Sequence, residues 1–211
     1  MDSFASLYPR AWLRPRAAFA ALLEHPARTR FGFGALAITA VTYQLVYLFL
    51  ARNGGRPTVF TPWLAVPPDQ YYAFNQWVVV PSIILAWVSA SGFTQLTARA
   101  LGGTGSFEDT TTLLGMAISI SSWWTGLHDV VTTALGFLGV LDQRAYEDAM
   151  STPGQWPHVL IWALMVAYLA WFIWTFVTAA AVAHRLALPR SIVAGLSGLA
   201  VYQLVFLLFN R

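Results

Sequence analysis

The sequence predicts an all-α integral membrane protein: five transmembrane helices behind a short amphipathic N-terminal helix, with the N-terminus cytoplasmic and the C-terminus outside. Three observations predict it. Of 211 residues, 57% are hydrophobic and only 10% charged, against roughly 25% charged in a typical soluble domain. Five apolar stretches come close to the roughly 20 residues a helix needs to cross the hydrocarbon. The arginines, threaded through a membrane in that order, collect mainly on one side.

Residues 1–30 read as a basic amphipathic juxtamembrane segment and 31–211 as a single five-helix membrane domain. In the first, Pro15 suits the opening turn of a helix. Phe19, Leu22 and Leu23 follow at i, i+3 and i+4 with arginines on other faces, so this helix is expected on the cytoplasmic leaflet, its arginines near anionic headgroups. The first apolar run is too long and starts too late for a signal peptide, and is expected to remain in the mature chain.

The spans are expected at about 31–50, 74–98, 109–128, 159–183 and 191–209, with Pro81 able to kink the second. The third is ambiguous, because apolar character runs from Thr110 to Leu141, interrupted by "TGLHD". The helix is expected to leave the hydrocarbon near Trp123, Trp124 and His128; residues 130–141 then lie in the interface or continue the helix. A cytoplasmic N-terminus puts Arg10, Arg14, Arg16, Arg28, Arg30, Arg99, Arg185 and Arg190 inside, and Arg52, Arg56, Arg144 and Arg211 outside, as the positive-inside rule prefers. "YQLVYLFLAR" from Tyr43 and "YQLVFLLFNR" from Tyr202 echo each other, as parallel first and fifth spans would allow, with Gln44 and Gln203 at matched depths bonding across helices.

Composition excludes several chemistries. Without cysteine there is no disulfide, zinc-thiolate or thiol-nucleophile chemistry. All twelve basic side chains are arginine, which suggests a GC-rich, bacterial genome and hence the inner membrane. They flank apolar spans instead of forming one stripe, so nucleic acid is not expected. The serines and threonines lack a G-x-S-x-G motif, so no enzyme is expected. Asp142, Glu147, Asp148 and His158 are metal-competent side chains at spacings that match no compact motif, so neither metal nor cofactor is expected.

The stretch "LTARALGGTGSFEDT" from Leu96 interrupts two apolar runs. It reads as a helix-to-helix turn: Arg99 ends one helix, Gly102 and Gly103 accept left-handed angles, Ser106 caps the next, and Glu108 and Asp109 meet its positive end. No lysine follows the glycines and no strand precedes them, so this is no phosphate loop. The run "ARALGGTGSFEDTTTLLGMA" resembles the turn between the second and third spans of the Yip (Ypt/Rab-interacting) family, where a GG-x-G-S/T-F loop precedes an apolar helix. "RPRAAFAALLEHP" looks like that family's leader and "HRLALPRSIVAGLSG" like its last turn and helix; the third span departs from it, reading "GMAISISSWW" where proline is frequent. The resemblance implies a five-span bundle with a cytoplasmic N-terminus, and in eukaryotes a role in vesicle transport with small GTPases as partners. A bacterial chain lacks Rab partners, so small GTPase binding is not carried over.

Ala86, Ala90, Thr94 and Ala98 recur every four residues along the second span, and Ala179 with Ala183 and Ser191 with Gly195 repeat the spacing. Such faces pack either the chain's own bundle or a homo-oligomer. The reading is a non-enzymatic scaffold or membrane-organising, trafficking-like component. Lipids and a membrane-protein partner would be met by Arg10, Arg14, Arg16, Gly102, Gly103, Gly105, Ser106 and Phe107. The alternative is a small-solute or ion permease with Gln44, His128, Asp129 and Gln203 lining its path, since an ionisable residue inside a membrane is by default a functional candidate.

Overall fold

The structure, a computed structural model, describes residues 3–57, 64 and 66–210; Arg211, the last residue of the repeated decapeptide, falls outside them. Among the described residues the regular elements are all helical: α1 (Phe4–Leu13), α2 (Pro15–Leu23), α3 (Arg28–Asn53), α4 (Tyr71–Ala100), α5 (Phe107–Phe137), α6 (Gln143–Ser151), α7 (Trp156–His184) and α8 (Leu188–Phe209), with a 3-10 turn at Pro68–Gln70 before α4. Four of these stretches are long and apolar enough to cross a membrane: Arg28–Asn53, Pro68–Ala100, Trp156–His184 and Leu188–Phe209. They contain the first, second, fourth and fifth expected spans.

The helix α5 is as long, at 31 residues, but is not one of the four. It is the central helix: residues 112–122 are buried without a break, and α1, α2, α3, α4 and α7 pack around it. A helix sheathed by other helices can carry hydroxyls that a lipid-facing one would leave unpaired. Ser122 donates to the Ile118 carbonyl at 2.8 Å, and Ser121 meets Thr175 of α7 at 2.9 Å. α5 runs unbroken through Trp123, Trp124 and His128 to Phe137, so most of 130–141 continues the helix, and Gly139 at φ 72° turns the chain away.

The two tryptophans receive the N-terminal segment. Residues 4–23 fold as a helical hairpin against α5 and α7, where a single helix lying on the leaflet was expected. Leu7 and Ala11 of α1 and Phe19 and Leu22 of α2 form its buried face. The Trp12 indole donates to the Ile120 carbonyl at 2.6 Å, and its ring packs on Trp124 and Trp171 at 5.2 and 5.6 Å. Tyr8 meets Ser119 at 2.7 Å and accepts from the Trp123 indole at 2.8 Å. Ile120 lies about 20 Å along α5 from Phe107 at 1.5 Å per residue, so the hairpin flanks the bundle far below its end.

Small residues set the helix spacings. An added Cβ at Gly32 of α3 would stand 2.5 Å from the Thr112 carbonyl oxygen, and one at Gly115 of α5 would stand 2.6 Å from that of Gly32. Ala86, Ala90, Thr94 and Ala98 are wholly buried, and a Cβ on Gly198 would run into Thr94 and the Ala90 carbonyl. The small-residue face of α4 therefore packs α8 of the same chain. Gly195 likewise lies against the Val177 backbone of α7.

Candidate functional site

Two groups of residues deserve a functional reading, one at each end of the bundle. At the first end, the glycine turn is fastened by every kind of bond it can make. Ser106 caps α5 with a complete capping box: its hydroxyl accepts from the Asp109 amide at 3.0 Å, and the Asp109 carboxylate accepts from the Ser106 amide at 3.2 Å. Gln95 of α4 donates to the Gly105 carbonyl at 3.1 Å and accepts from Thr110 at 2.7 Å. With its proton so used, Thr110 accepts from Nε2 of His184, 2.9 Å away at the end of α7. The Thr104 amide donates to the His184 carbonyl at 3.3 Å, and Arg190 of α8 donates to the Leu101 carbonyl at 3.2 Å. Arg28 and Thr29 at the start of α3 both reach Glu108, at 3.4 and 2.7 Å.

This arrangement divides the expected contact residues. Gly103 and Gly105 are buried: a Cβ on the first would press the Ala98 carbonyl and His184 at 2.8 Å, and one on the second would collide with the Ala183 carbonyl. They are packing glycines, absent side chains that let α7 end against the turn. Gly102, Ser106 and Phe107 are exposed, as are Arg10, Arg14 and Arg16 on the hairpin. Arg30, Arg99, Arg185 and Arg190 are exposed at the same end.

At the opposite end, α6 straps across the bundle, a helix the polar reading of residues 142–151 did not anticipate. Asp142 caps it by accepting from the Ala145 amide at 3.0 Å. Glu147 is buried yet satisfied, accepting from the Arg56 amide at 2.7 Å and from Gln143 at 3.0 Å. Arg144 donates to the Gly54 carbonyl at 3.1 Å, and His158 bonds to the Met150 carbonyl at 2.8 Å. Asp142, Glu147 and His158 thus serve caps and straps while Asp148 is exposed, and no group of three or more His, Asp or Glu among the described residues could hold an ion. The carbonyls that end α8 are closed off by protein: Leu208 accepts from the Leu64 amide at 3.1 Å and Phe209 from the Tyr71 hydroxyl at 3.3 Å.

Beside α6 lies a cavity of about 390 Å³ whose lining includes Tyr43, Thr125, Asp129, Met150, Tyr168 and Gln203. The structure therefore brings together two of the four permease candidates, Asp129 and Gln203; Gln44 and His128 are not among its lining residues. Gln203 bonds to Tyr168 of α7 at 3.1 Å, not to Gln44. His128 links the cavity to the strap: Nδ1 meets Oδ1 of Asp129 at 3.0 Å and Nε2 meets the Tyr146 hydroxyl of α6 at 2.9 Å. These helix neighbours do touch. Burial, and secondarily the Asp129 carboxylate, push the Tyr146 phenol above its ordinary value of 10.0, since both oppose a phenolate. Sequence reasoning missed Tyr43 and Tyr168, whose only signal is the aromatic density of α3 and α7, and Met150 of α6, which gives none. No family model, no curated protein and no solved structure matches this chain.

Proposed function

We propose that this chain is a Yip-like, five-span protein of a bacterial inner membrane, N-terminus in the cytoplasm and C-terminus outside, acting as a non-enzymatic membrane-organising scaffold. The observation that carries the reading is the α1–α2 hairpin packed on the flank of α5 and α7, on the half of the bundle that ends in the glycine turn. The α1–α2 hairpin adds two helices to the flank on that half alone, which widens one leaflet's share of the protein more than the other's. Arg30, Arg99, Arg185 and Arg190 make the turn end basic, as a cytoplasmic face facing anionic lipids requires, and Arg10, Arg14 and Arg16 are exposed on the hairpin beside it. Phe107, 47% exposed beside Gly102 and Ser106, supplies an apolar contact for a membrane-protein partner or a second copy.

The test is photo-cross-linking from position 107 in native membranes, read by mass spectrometry, with Arg14→Ala and Arg16→Ala introduced together as the comparison. Gly103 and Gly105 are left intact because their replacement would unseat α7. The expected result is a defined protein or anionic-lipid partner whose yield falls in the arginine variant. A cross-linking pattern indifferent to both arginines, with no recurrent partner, would refute the scaffold. The permease reading is favoured by one observation, the shared cavity of Asp129 and Gln203, and predicts solute flux in proteoliposomes that Asp129→Asn abolishes.

A further inference from the structure

The cavity beside α6 has the size and walls of a ligand site. Such pockets typically enclose about 300–1,000 Å³, with a few placed polar groups on otherwise apolar walls. This one, at about 390 Å³, is walled mainly by aliphatic and aromatic side chains of α3, α7 and α8. Its inner polar pair, Tyr168 and Gln203, is already bonded to itself, so it makes little demand on an occupant.

The other polar feature is of a different kind. Asp129 is the one carboxylate among the described lining residues, which include no arginine or histidine. Its Oδ1 is held by His128 at 3.0 Å, and the side chain keeps 29% exposure. An anionic head placed there would be repelled across a medium of low dielectric, and a cationic one attracted. Tyr43 and Tyr47 also line the cavity, and an aromatic ring attracts a cation placed over its face.

The way in is sideways. Trp162, Val166 and Leu169 of α7 line the cavity and yet are exposed, Val166 by 68%. On a helix apolar enough to cross a membrane, such side chains face lipid, so an alkyl chain can enter without passing through water. Across the end, Met150 lines the cavity from α6, which the bonds of Tyr146, Glu147 and Arg144 hold down.

We propose that this cavity binds a membrane-borne amphiphile with a protonated amine head, its alkyl chain between α7 and α8 and its ammonium against Asp129. A free long-chain amine and one chain of an ethanolamine phospholipid share that chemistry.

The test uses the purified full-length chain in detergent with two photoactivatable probes of equal chain length, an alkylamine and a fatty acid, and maps labelled peptides by mass spectrometry. The amine is expected to label cavity-lining peptides of α7 and α8 about tenfold more than the acid, a difference worth about 1.4 kcal/mol. Asp129→Asn should bring the amine down to the level of the acid. Leu169→Trp, which narrows the mouth and leaves the carboxylate in place, should lower both. Competition by phosphatidylethanolamine but not phosphatidylcholine vesicles identifies a bilayer lipid as the source; competition by free alkylamine alone identifies a free amphiphile. Equal labelling of the native chain by amine and acid, labelling away from the cavity, or an amine preference that survives Asp129→Asn would overturn the proposal.

Discussion

A single hydrogen or methyl group decides much at the scale of residues. The Gly105 position has no room for a Cβ, because the obstacle is the Ala183 backbone, which cannot rotate away; at Gly92 of α4 an added Cβ meets nothing within 4 Å. Gly105→Ala is therefore expected to lose about 1–3 kcal/mol by overpacking, and Gly92→Ala to gain up to about 1 kcal/mol from helix propensity. Thermal unfolding in detergent should move in opposite directions for the two. Tyr8 gives a pH-dependent case. Burial raises its phenol above 10.0, against the lowering effect of its bonds to Ser119 and Trp123. A folded-state value above the unfolded one means that its contribution is complete below pH 10 and is lost as pH rises through the folded value. The wild-type hairpin should thus loosen at alkaline pH, read by tryptophan fluorescence at Trp12 and Trp124. Tyr8→Phe should be about 1–3 kcal/mol weaker at neutral pH, with Trp123 and Ser119 unpartnered, and should lack that alkaline step. None of this was legible in sequence, since the glycines read as turn formers and the phenol's partners lie more than a hundred positions away.

Helices were legible to the degree that they report on lipid. α3, α4, α7 and α8 each turn an apolar face outward, and their composition declares it: Trp77, Phe93, Val166 and Leu204 are all exposed. α5 is different because protein surrounds it: Ser119 and Ser121 bond to Tyr8 of α1 and Thr175 of α7, and Ser122 and Thr125 are buried. Trp123 and Trp124 read as a membrane boundary, and their packing against α1 depends on residues more than a hundred positions away. The strap α6 was invisible because its buried face is Gln143, Tyr146, Glu147 and Met150, two of which read as solvent-facing until Arg56 and Gly55 are set beside them. A prediction separates these cases. Placed alone in a translocon reporter, α7 should insert efficiently, whereas α5, with its hydroxyls, His128 and Asp129, should insert poorly and improve when α3 and α4 precede it. Equal insertion of the two isolated helices would show that α5 needs no sheath.

The same property of α5 makes the topology of the whole molecule the sharpest global question. If α5 crosses, the glycine turn and the α6 strap lie on opposite sides of the membrane; if only the four most apolar helices cross, both loops lie on one side. The charge pattern argues for crossing: Arg99, Arg185 and Arg190 gather at the turn, while the strap end carries Asp142, Glu147 and Asp148 beside Arg144. The chain has no cysteine, so single replacements report cleanly. Thr104→Cys stands at the exposed turn and Ser151→Cys at the exposed end of α6, and neither side chain fastens one helix to another. An impermeant maleimide applied to intact spheroplasts should label Ser151→Cys at once and Thr104→Cys only after the membrane is opened. Simultaneous labelling of both would place turn and strap together and remove α5 from the membrane. It would take with it the cytoplasmic face on which the scaffold reading stands, while leaving the cavity beside α6 to be tested on its own terms.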